Sequence, residues 1–325
     1  MTRYIAIRAL QALPVLVLAS IVVFLLMHLI PGGPLALYAN DPSVSADDLE
    51  RLRRELGLDV SLPEQYLNWL GAALHGDWGV SQVTHRKAFD EIAERLPNTL
   101  LLSGLAFLLA LALSIPIGVV SAVRQYSWFD HVMTSLAFVG HAIPIFWFGL
   151  ILIIVFNGML RNPFGGGPLL PGAGMSTLGE PFTFGDRLVH LILPVSVLAF
   201  HNLSSHVRYL RAGMLDVLGQ DYMRTARSKG LAERTVVMRH AFKNGILPLI
   251  TIIGLEIPGL FNGALLAETV FSWPGMGRLF FTAIERSDYA VMMGVIMLSA
   301  ALVLLFALVT DVAHASLDPR IRLER

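Results

Sequence analysis

The sequence of 325 residues contains no cysteine. Without a thiol the chain forms no disulfide, presents no cysteine nucleophile and offers no thiolate ligand to a metal ion. This absence excludes thiol chemistry as the basis of function. It also means that cysteine usage gives no information about the compartment in which the protein works.

Charged residues are scarce as well. They make up 15% of the chain, against 55% hydrophobic residues, whereas a soluble domain is typically about 25% charged. The formal net charge is zero, so no overall electrostatic field attracts nucleic acid. This composition indicates a membrane protein.

Sequence motifs for catalysis and for nucleotide binding are missing. A phosphate-binding loop of the Walker A type needs a Gly-Lys pair, but the three lysines follow Arg86, Ser228 and Phe242. Neither His-Glu-x-x-His nor Gly-x-Ser-x-Gly occurs. We therefore predict no catalytic residue and no cofactor in this chain, and any ATP that drives it has to be hydrolysed by another subunit.

Long apolar stretches are what the chain has in abundance. A membrane-spanning helix needs about 20 mainly apolar residues, and six stretches qualify: Ala9–Ile30, Thr99–Val123, Val132–Asn157, Leu188–His206, Ile246–Phe271 and Ala290–Thr310. The first is longer than the apolar core of a signal peptide, and no small-x-small cleavage site follows it. The predicted fold class is an all-α membrane protein with six transmembrane helices.

The distribution of basic residues predicts the orientation. With a cytoplasmic N-terminus, the inside segments hold 14 Lys or Arg against 7 Asp or Glu, and the outside segments hold 10 against 15. The positive-inside rule therefore places both termini in the cytoplasm. We divide the chain into the N-terminus and first span (1–30), a small external subdomain (31–97) and a core (98–325) that contains a cytoplasmic loop at 207–245.

Turn and cap signals predict local structure in the external subdomain. Ser45, followed by Asp47 and Asp48, predicts the start of a short helix that runs to Leu56, where Gly57 stops it. Residues 158–187 are rich in glycine and proline, which predicts an irregular external loop.

The loop at 207–245 contains a polar, basic helical hairpin. Leu215, Leu218, Tyr222 and Ala226 recur at spacings of three and four residues, which predicts one apolar stripe along a helix. Lys229 suits the negative end of that helix, and Gly230 is placed to supply a left-handed cap. A second helix is predicted across Glu233–Lys243. A basic amphipathic hairpin of this kind can dock into a partner's cleft or lie on anionic lipid headgroups.

The order of residues in this loop resembles a known family. The pattern Asp-Tyr-Met-Arg-Thr-Ala-Arg-Ser-Lys-Gly at 221–230, followed by Asn244, Leu247 and Pro248, resembles the "EAA" coupling loop of ABC importer permeases. Six further stretches resemble the oligopeptide and dipeptide branch, in family order and over nearly the whole chain: Glu55–Asp59, Gly76–Ser81, Arg95–Leu100, Ile143–Trp147, Phe271–Gly277 and Asp318–Arg322. The chain is thus similar to the B-type permease subunit of that branch.

The resemblance implies a type I ABC importer permease fold in a prokaryotic plasma (inner) membrane. It also implies a second, C-type permease, two ATP-binding subunits that hold ATP and Mg²⁺, and an extracytoplasmic peptide-binding protein that delivers peptide. By the same resemblance, the residues that couple to the ATP-binding subunits are Asp221, Tyr222, Arg224, Thr225, Ala226, Arg227, Lys229 and Gly230.

The sequence departs from the family pattern at three places. It has Pro31-Gly32-Gly33-Pro34 in place of Pro-Gly-Asp-Pro, Gly245 in place of alanine and Glu256 in place of glutamine. We expect no consequence from the changes at Pro31–Pro34 and at Gly245. The change at Glu256 can bear on which cargo passes.

Two carboxylates within the fifth predicted span are candidate pathway or gating residues, because intramembrane carboxylates are costly and usually face a cavity or a partner. Glu256 lies about 15 Å along the span at 1.5 Å per residue, beside Pro258 and Gly259. It can line the pathway, form a structural hydrogen bond to another helix, or contact the sister permease. For Glu268, near the outer end, we favour a structural or gating role.

Two other functions are weighed against peptide import. Related permeases carry nickel, but His141, His190, His201 and His206 are not spaced as a compact ligand set, so we predict no metal site. A free-standing secondary transporter needs no docking loop, and it is expected to show inverted repeats and carboxylates that bind a coupled ion.

Overall fold

The computed structural model describes residues 2–29, 33–35, 38, 44–163, 165–261 and 264–317. The sequence motif at 318–322 and residues 31 and 32 of the Pro31-Gly32-Gly33-Pro34 stretch lie outside the described residues. Within the described ranges the chain is helical and contains no β-strand apart from two isolated bridges. The helices are α1 Thr2–Leu29, α2 Ala46–Glu55, α3 Leu62–Leu74, α4 Ala88–Val123, α5 Trp128–Ala142, α6 Ile145–Met159, α7 Phe184–Leu218, α8 Asp221–Ser228, α9 Glu233–Gly245, α10 Leu247–Phe261, α11 Leu265–Val270, α12 Met276–Glu285 and α13 Tyr289–Leu317.

Long apolar helices confirm the predicted class of all-α membrane protein. Among the described residues, α1, α4, α7 and α13 are each long and apolar enough to cross a bilayer. The pairs α5 with α6 and α9 with α10 bring the number to six if each bent pair is taken as one span. Five of the six predicted spans overlap α1, α4, the α5–α6 pair, α7 and α13, whereas the fifth, Ile246–Phe271, overlaps α10 and α11 and not α9.

The third predicted span is not one straight helix. α5 and α6 are bent by 105° where they meet at Ile143 and Pro144. Ile143 has extended backbone angles, φ −74° and ψ 126°, as expected for a residue before proline, whose ring excludes the helical conformation at the preceding position. The C-terminal part of α6 is also irregular, because residues 153–159 form a π-helix.

The fourth and fifth spans differ from the prediction in their ends. α7 begins at Phe184 and continues to Leu218 rather than stopping at His206. Two of its polar side chains, His190 and His206, are buried. The fifth stretch is divided: α10 tightens into a 3₁₀ turn over Ile257–Phe261 and a separate helix begins at Leu265. Pro258 lies in that turn and lacks the N–H that a continuing α-helix requires.

The described chain separates into two compact units. One comprises residues 1–98 and 274–325, and the other comprises residues 99–273. The first boundary lies next to the predicted limit of the external subdomain at residue 97. The second span, predicted to begin at Thr99, belongs to a helix that already begins at Ala88, so α4 contributes to both units.

The first unit confirms the predicted short helix. The Ser45 hydroxyl oxygen accepts a hydrogen bond from the Asp48 N–H at 3.2 Å, α2 ends with Leu56 as its cap, and Gly57 has φ +63°. The following turn is anchored by Ser81, which is fully buried. Its hydroxyl donates to the Asp288 carboxylate and accepts from two backbone N–H groups.

Candidate functional site

All the predicted site residues belong to the second unit, residues 99–273. The segment from Asp221 to Gly230, here called the coupling segment, begins after α7 ends and Gln220 adopts extended angles of φ −77° and ψ 150°. α8 then runs to Ser228, and Gly230 has φ +75°, which confirms the predicted left-handed turn. The predicted second helix is confirmed as α9, although residues 236–241 within it are π-helical.

The predicted apolar stripe is wrong in part. Because the helix breaks between Leu218 and Asp221, the series through Leu215 and Leu218 does not continue onto α8 with the same face inward. Tyr222 is 43% exposed, whereas Met223, which the pattern did not select, is fully buried. Ala226 is buried as predicted.

The underside of α8 packs on a continuous core. Met223 and Ala226 join a buried cluster that draws side chains from four other helices: Ala122, Leu210, Met214, Val236, Val237, Ala241 and Leu249. Close-packed interiors have low compressibility and transmit displacement. The coupling segment is therefore seated on the ends of α4, α7, α9 and α10 rather than attached by a loop alone.

The outer face of α8 carries the charges. Asp221 and Arg224 form an ion pair at 3.5 Å, with side chains 95% and 79% exposed. Thr225 and Lys229 are also exposed, and the Tyr222 hydroxyl accepts a hydrogen bond from the Asn244 amide at 3.1 Å. These exposed side chains contribute little to folding, since exposed ion pairs are typically worth about 0–1 kcal/mol.

A second ion pair closes the turn after α8. Arg227 donates to Glu233 through Nε at 3.2 Å and through Nη2 at 2.9 Å. These hydrogen bonds raise the pKa of the Arg227 guanidinium above its ordinary value. The bidentate geometry fixes the direction in which α9 leaves the turn.

Two glycines bring the backbones behind the coupling segment into direct contact. A Cβ atom on Gly213 of α7 would lie 2.3 Å from the carbonyl oxygen of Gly245, and one on Gly245 would lie 3.0 Å from the Cα atom of Met214. The structure thus shows what glycine in place of alanine at position 245 allows. An alanine there would require α7 and α9 to move apart by a few tenths of an ångström.

Glu256 lies in the wall of a cavity of about 270 Å³. The cavity is bordered by α4, α7 and α10. Its polar side chains are Glu256, Asn202 and Ser103, and the rest of its lining is aliphatic or glycine, including Ala106 and Leu198. The structure thus brings Glu256 to a cavity, as one of its predicted interpretations requires.

The Glu256 carboxylate also contacts another helix. Its Oε2 lies 2.6 Å from Nε2 of His206 on α7. His206 is fully buried and its ring meets Phe107 edge to face, with centroids 6.1 Å apart. The cavity wall and the structural hydrogen bond, which the sequence left as alternatives, are present at the same residue.

Glu268 has different surroundings. It is fully buried, and its Oε1 accepts a hydrogen bond from the Thr99 hydroxyl at 2.7 Å. Its backbone carbonyl accepts the Trp273 N–H at 2.8 Å. It belongs to the packed interior of the unit, which favours a structural role, and its part in gating stays a prediction.

The remaining histidines do not come together as one set. His190 approaches the Asp186 backbone carbonyl at 2.9 Å, while the rings of His141 and His201 stack with centroids 5.5 Å apart. In the part of the chain that the structure describes, no three His, Asp or Glu residues are grouped so that they could hold a metal ion.

Sequence reasoning missed two partnerships between helices. His206 meets Glu256 across 50 residues, and Arg211 of α7 donates to both oxygens of Asp130 of α5 at 2.6 and 2.7 Å. Asp130 is only 2% exposed. Neither pair has a local signal, because periodicity reports the face of one helix and not its neighbour.

Comparison with known proteins gives matches along nearly the whole chain. Residues 114–323 match the model of the binding-protein-dependent transport system inner membrane component, and residues 1–103 match its N-terminal counterpart. The chain is 44% identical over 322 residues to the oligopeptide transport system permease protein AppB of Bacillus subtilis, with 99% of both chains covered. It is 37% identical to the dipeptide transport system permease protein DppB of Escherichia coli K12 and 36% identical to the glutathione transport system permease protein GsiC of Escherichia coli O1:K1, again with 99% of each chain covered.

Proposed function

The chain belongs to the family of binding-protein-dependent transport system inner membrane components, and from that premise we propose that it is a pathway-forming permease subunit of an ATP-driven peptide importer. Several similar proteins over the full length are permeases named for oligopeptides, dipeptides or glutathione. Glutathione is itself a small peptide, so the cargo named for these relatives is of one chemical class.

The observation that carries the proposal is the construction of the coupling segment. A helix with charged side chains on its outer face and a fully buried Met223 beneath is suited to enter a cleft on a partner and to pass the partner's movement to its own core. The cluster under α8 includes Leu210 of α7 and Leu249 of α10, and these two helices border the cavity at Glu256. A displacement of α8 can therefore be transmitted to the cavity through the packed side chains of α7 and α10.

The proposed partners supply what this chain lacks. Two ATP-binding subunits bind ATP and Mg²⁺ and dock on the coupling segment, a second permease completes the pathway, and an extracytoplasmic binding protein delivers the peptide. This chain contributes no catalytic residue and no cofactor. Closure of the ATP-binding subunits moves the spans between outward-facing and inward-facing arrangements around the cavity, as in alternating access.

Charge reversal on α8 tests the coupling role. In a reconstituted complex, Arg224→Glu and Asp221→Arg are expected to abolish the stimulation of ATP hydrolysis by loaded binding protein, together with peptide uptake. Gly230→Val is expected to do the same, because a β-branched residue is sterically opposed at positive φ. ATP binding itself, measured on the same complexes, is expected to be unchanged.

The matched control is Arg53→Glu, a charge reversal on an exposed helix of the first unit. It is expected to leave stimulation at the wild-type level. Wild-type stimulation in all three coupling-segment variants would show that α8 is not where the ATP-binding subunits act.

The proposed orientation, with both termini cytoplasmic, is tested by labelling. The chain has no native cysteine, so Leu178→Cys, at a side chain 98% exposed, is expected to react with an impermeant thiol reagent in intact cells. Ser228→Cys is expected to react only after the membrane is opened. Ser81, in the predicted external subdomain, is fully buried and is unsuitable as a labelling site. Reaction of the Ser228 variant in intact cells would reverse the orientation.

A further inference from the structure

His206 and Glu256 form a buried pair whose protonation state can be argued from geometry. Among the described residues, Nδ1 of His206 has no hydrogen-bond partner, while Nε2 lies 2.6 Å from the carboxylate. The ring is fully buried. A buried N–H without an acceptor is unfavourable, so the arrangement favours a ring without a proton on Nδ1.

Most protonation states of the pair fail that condition. An imidazolium carries a proton on both nitrogens. A neutral glutamic acid that donates to Nε2 also leaves the proton on Nδ1. Two states remain, both with a neutral imidazole whose Nε2–H donates to Oε2 of Glu256: in one Glu256 is ionised, and in the other it is protonated on Oε1. The second requires an acceptor for the Oε1–H group, and Oε1 has no hydrogen-bond partner in the described part of the chain, so the arrangement favours the ionised carboxylate. In that state the pair carries one net negative charge.

The charge is presented to a cavity with further hydrogen-bonding groups. Glu256 is 29% exposed at its side chain, and its Oε1 has no hydrogen-bond partner in the described part of the chain. Asn202 and Ser103 line the same cavity, and neither makes a side-chain hydrogen bond to any described residue. An acceptor carboxylate, an amide and a hydroxyl thus border one space whose remaining lining is apolar.

We propose that this cavity binds the ammonium group of the transported peptide, with Glu256 as its counter-ion and His206 as the residue that holds Glu256 ionised and oriented. An ammonium group has three N–H donors and no acceptor, which matches this lining. A metal ion is less well suited, because no third His, Asp or Glu joins the pair in the described ranges and Nε2 of His206 is already used. The inference rests on the proposed function, since it names the part of the cargo that this cavity recognises.

Equilibrium binding to the assembled complex, without the binding protein, tests the proposal. The probes are radiolabelled trialanine, N-acetyl-trialanine and N-acetyl-Lys-Ala-Ala. Wild-type complex is expected to bind trialanine roughly tenfold more tightly than N-acetyl-trialanine, the difference expected for one hydrogen bond to a charged group. Glu256→Gln keeps the shape and an acceptor for His206 but removes the charge, so it is expected to abolish this preference. Binding of N-acetyl-Lys-Ala-Ala distinguishes a lysine ammonium from the α-ammonium as the recognised group.

A second set of binding measurements tests His206 and includes a variant expected to restore function in part. His206→Phe is expected to lower the preference for trialanine, while His206→Gln, which retains an N–H donor, is expected to restore part of it. A merely structural histidine would lower the binding of all three peptides alike. If the Phe variant does not assemble, the Glu256→Gln measurement decides alone.

The result that overturns the inference is an equal affinity of wild-type complex for trialanine and N-acetyl-trialanine, or a preference that Glu256→Gln leaves intact. Either result is compatible with a functional peptide importer. ATP-dependent uptake of trialanine by wild-type proteoliposomes is measured in parallel, and only its failure contradicts the proposed function.

Discussion

The coupling segment and the cavity at Glu256 use charge in opposite ways. On α8 the charged side chains point outward and an apolar residue, Met223, is buried beneath them. In the cavity the charge itself is inside, and a single buried partner, His206, holds it. A charged side chain exposed on the surface can contact another protein without destabilising the fold. A charged side chain inside the protein needs a hydrogen-bond or ion-pair partner within the fold. Variants of the first region should therefore affect all cargo alike, and variants of the second should depend on the cargo.

The largest effect is expected when the coupling segment is given a buried charge of its own. Met223→Asp places a carboxylate among the apolar side chains of the cluster under α8, at a cost of several kcal/mol, about 3 or more. We expect α8 to detach from its core and the ATP-binding subunits to be lost from the purified complex, as measured by subunit stoichiometry. Met223→Leu, which conserves volume, is the control and is expected to retain them. An Asp variant with wild-type stoichiometry would mean that the seating of α8 is unimportant.

A smaller effect is expected at the backbone contact between the two regions. Gly213→Ala places a Cβ atom 2.3 Å from the Gly245 carbonyl oxygen, so we expect a loss of about 2 kcal/mol in the free energy of unfolding and weaker coupling for every peptide. Thermal unfolding and stimulated ATP hydrolysis measure the two effects.

Gly104→Ala is the matched control for that substitution. Gly104 also lies within a helix of the second unit, but a Cβ atom there meets nothing within 4 Å. Alanine is therefore expected to stabilise this helix by about 0.5–1 kcal/mol. If both alanine variants were equally stable, the close approach of α7 and the α9–α10 junction would not constrain the protein.

The smallest effect is expected at the exposed counterpart of the buried pair. Arg227 and Glu233 are 42% and 54% exposed at their side chains, so a double-mutant cycle with Arg227→Ala and Glu233→Ala is expected to give a coupling energy of about 0.5 kcal/mol in unfolding. A value of about 3 kcal/mol would remove the contrast between exposed and buried pairs.

The sequence predicted those features that depend on neighbours in the chain. The cap at Ser45, the helix stop at Gly57, the left-handed turn at Gly230 and the second helix of the hairpin all follow from local residue types, and the structure confirms them. The membrane class followed from the amount of apolar sequence. These are cases in which the local preference and the fold agree.

The predictions that differ from the structure failed for a different physical reason. The bend at Pro144 was readable from the residue before proline but was outweighed by the apolar run around it. The fourth predicted span ended at His206, but α7 continues to Leu218, because hydropathy marks the apolar part of a helix and not its end. The face of α8 was assigned wrongly because the pattern was carried across the break at Gln220. A pattern along one helix cannot identify a partner 50 residues away.

The separation of His206 from Glu256 along the chain has a consequence for biosynthesis. Translation proceeds at about 5–20 residues per second, so α7 enters the membrane about 3–10 s before the glutamate that lies 50 residues later. The neutral imidazole, which is the less costly of the two groups to bury, is inserted first. The carboxylate then arrives where its hydrogen-bond donor is already present. Chain order thus spares the membrane an unaccompanied anion during insertion.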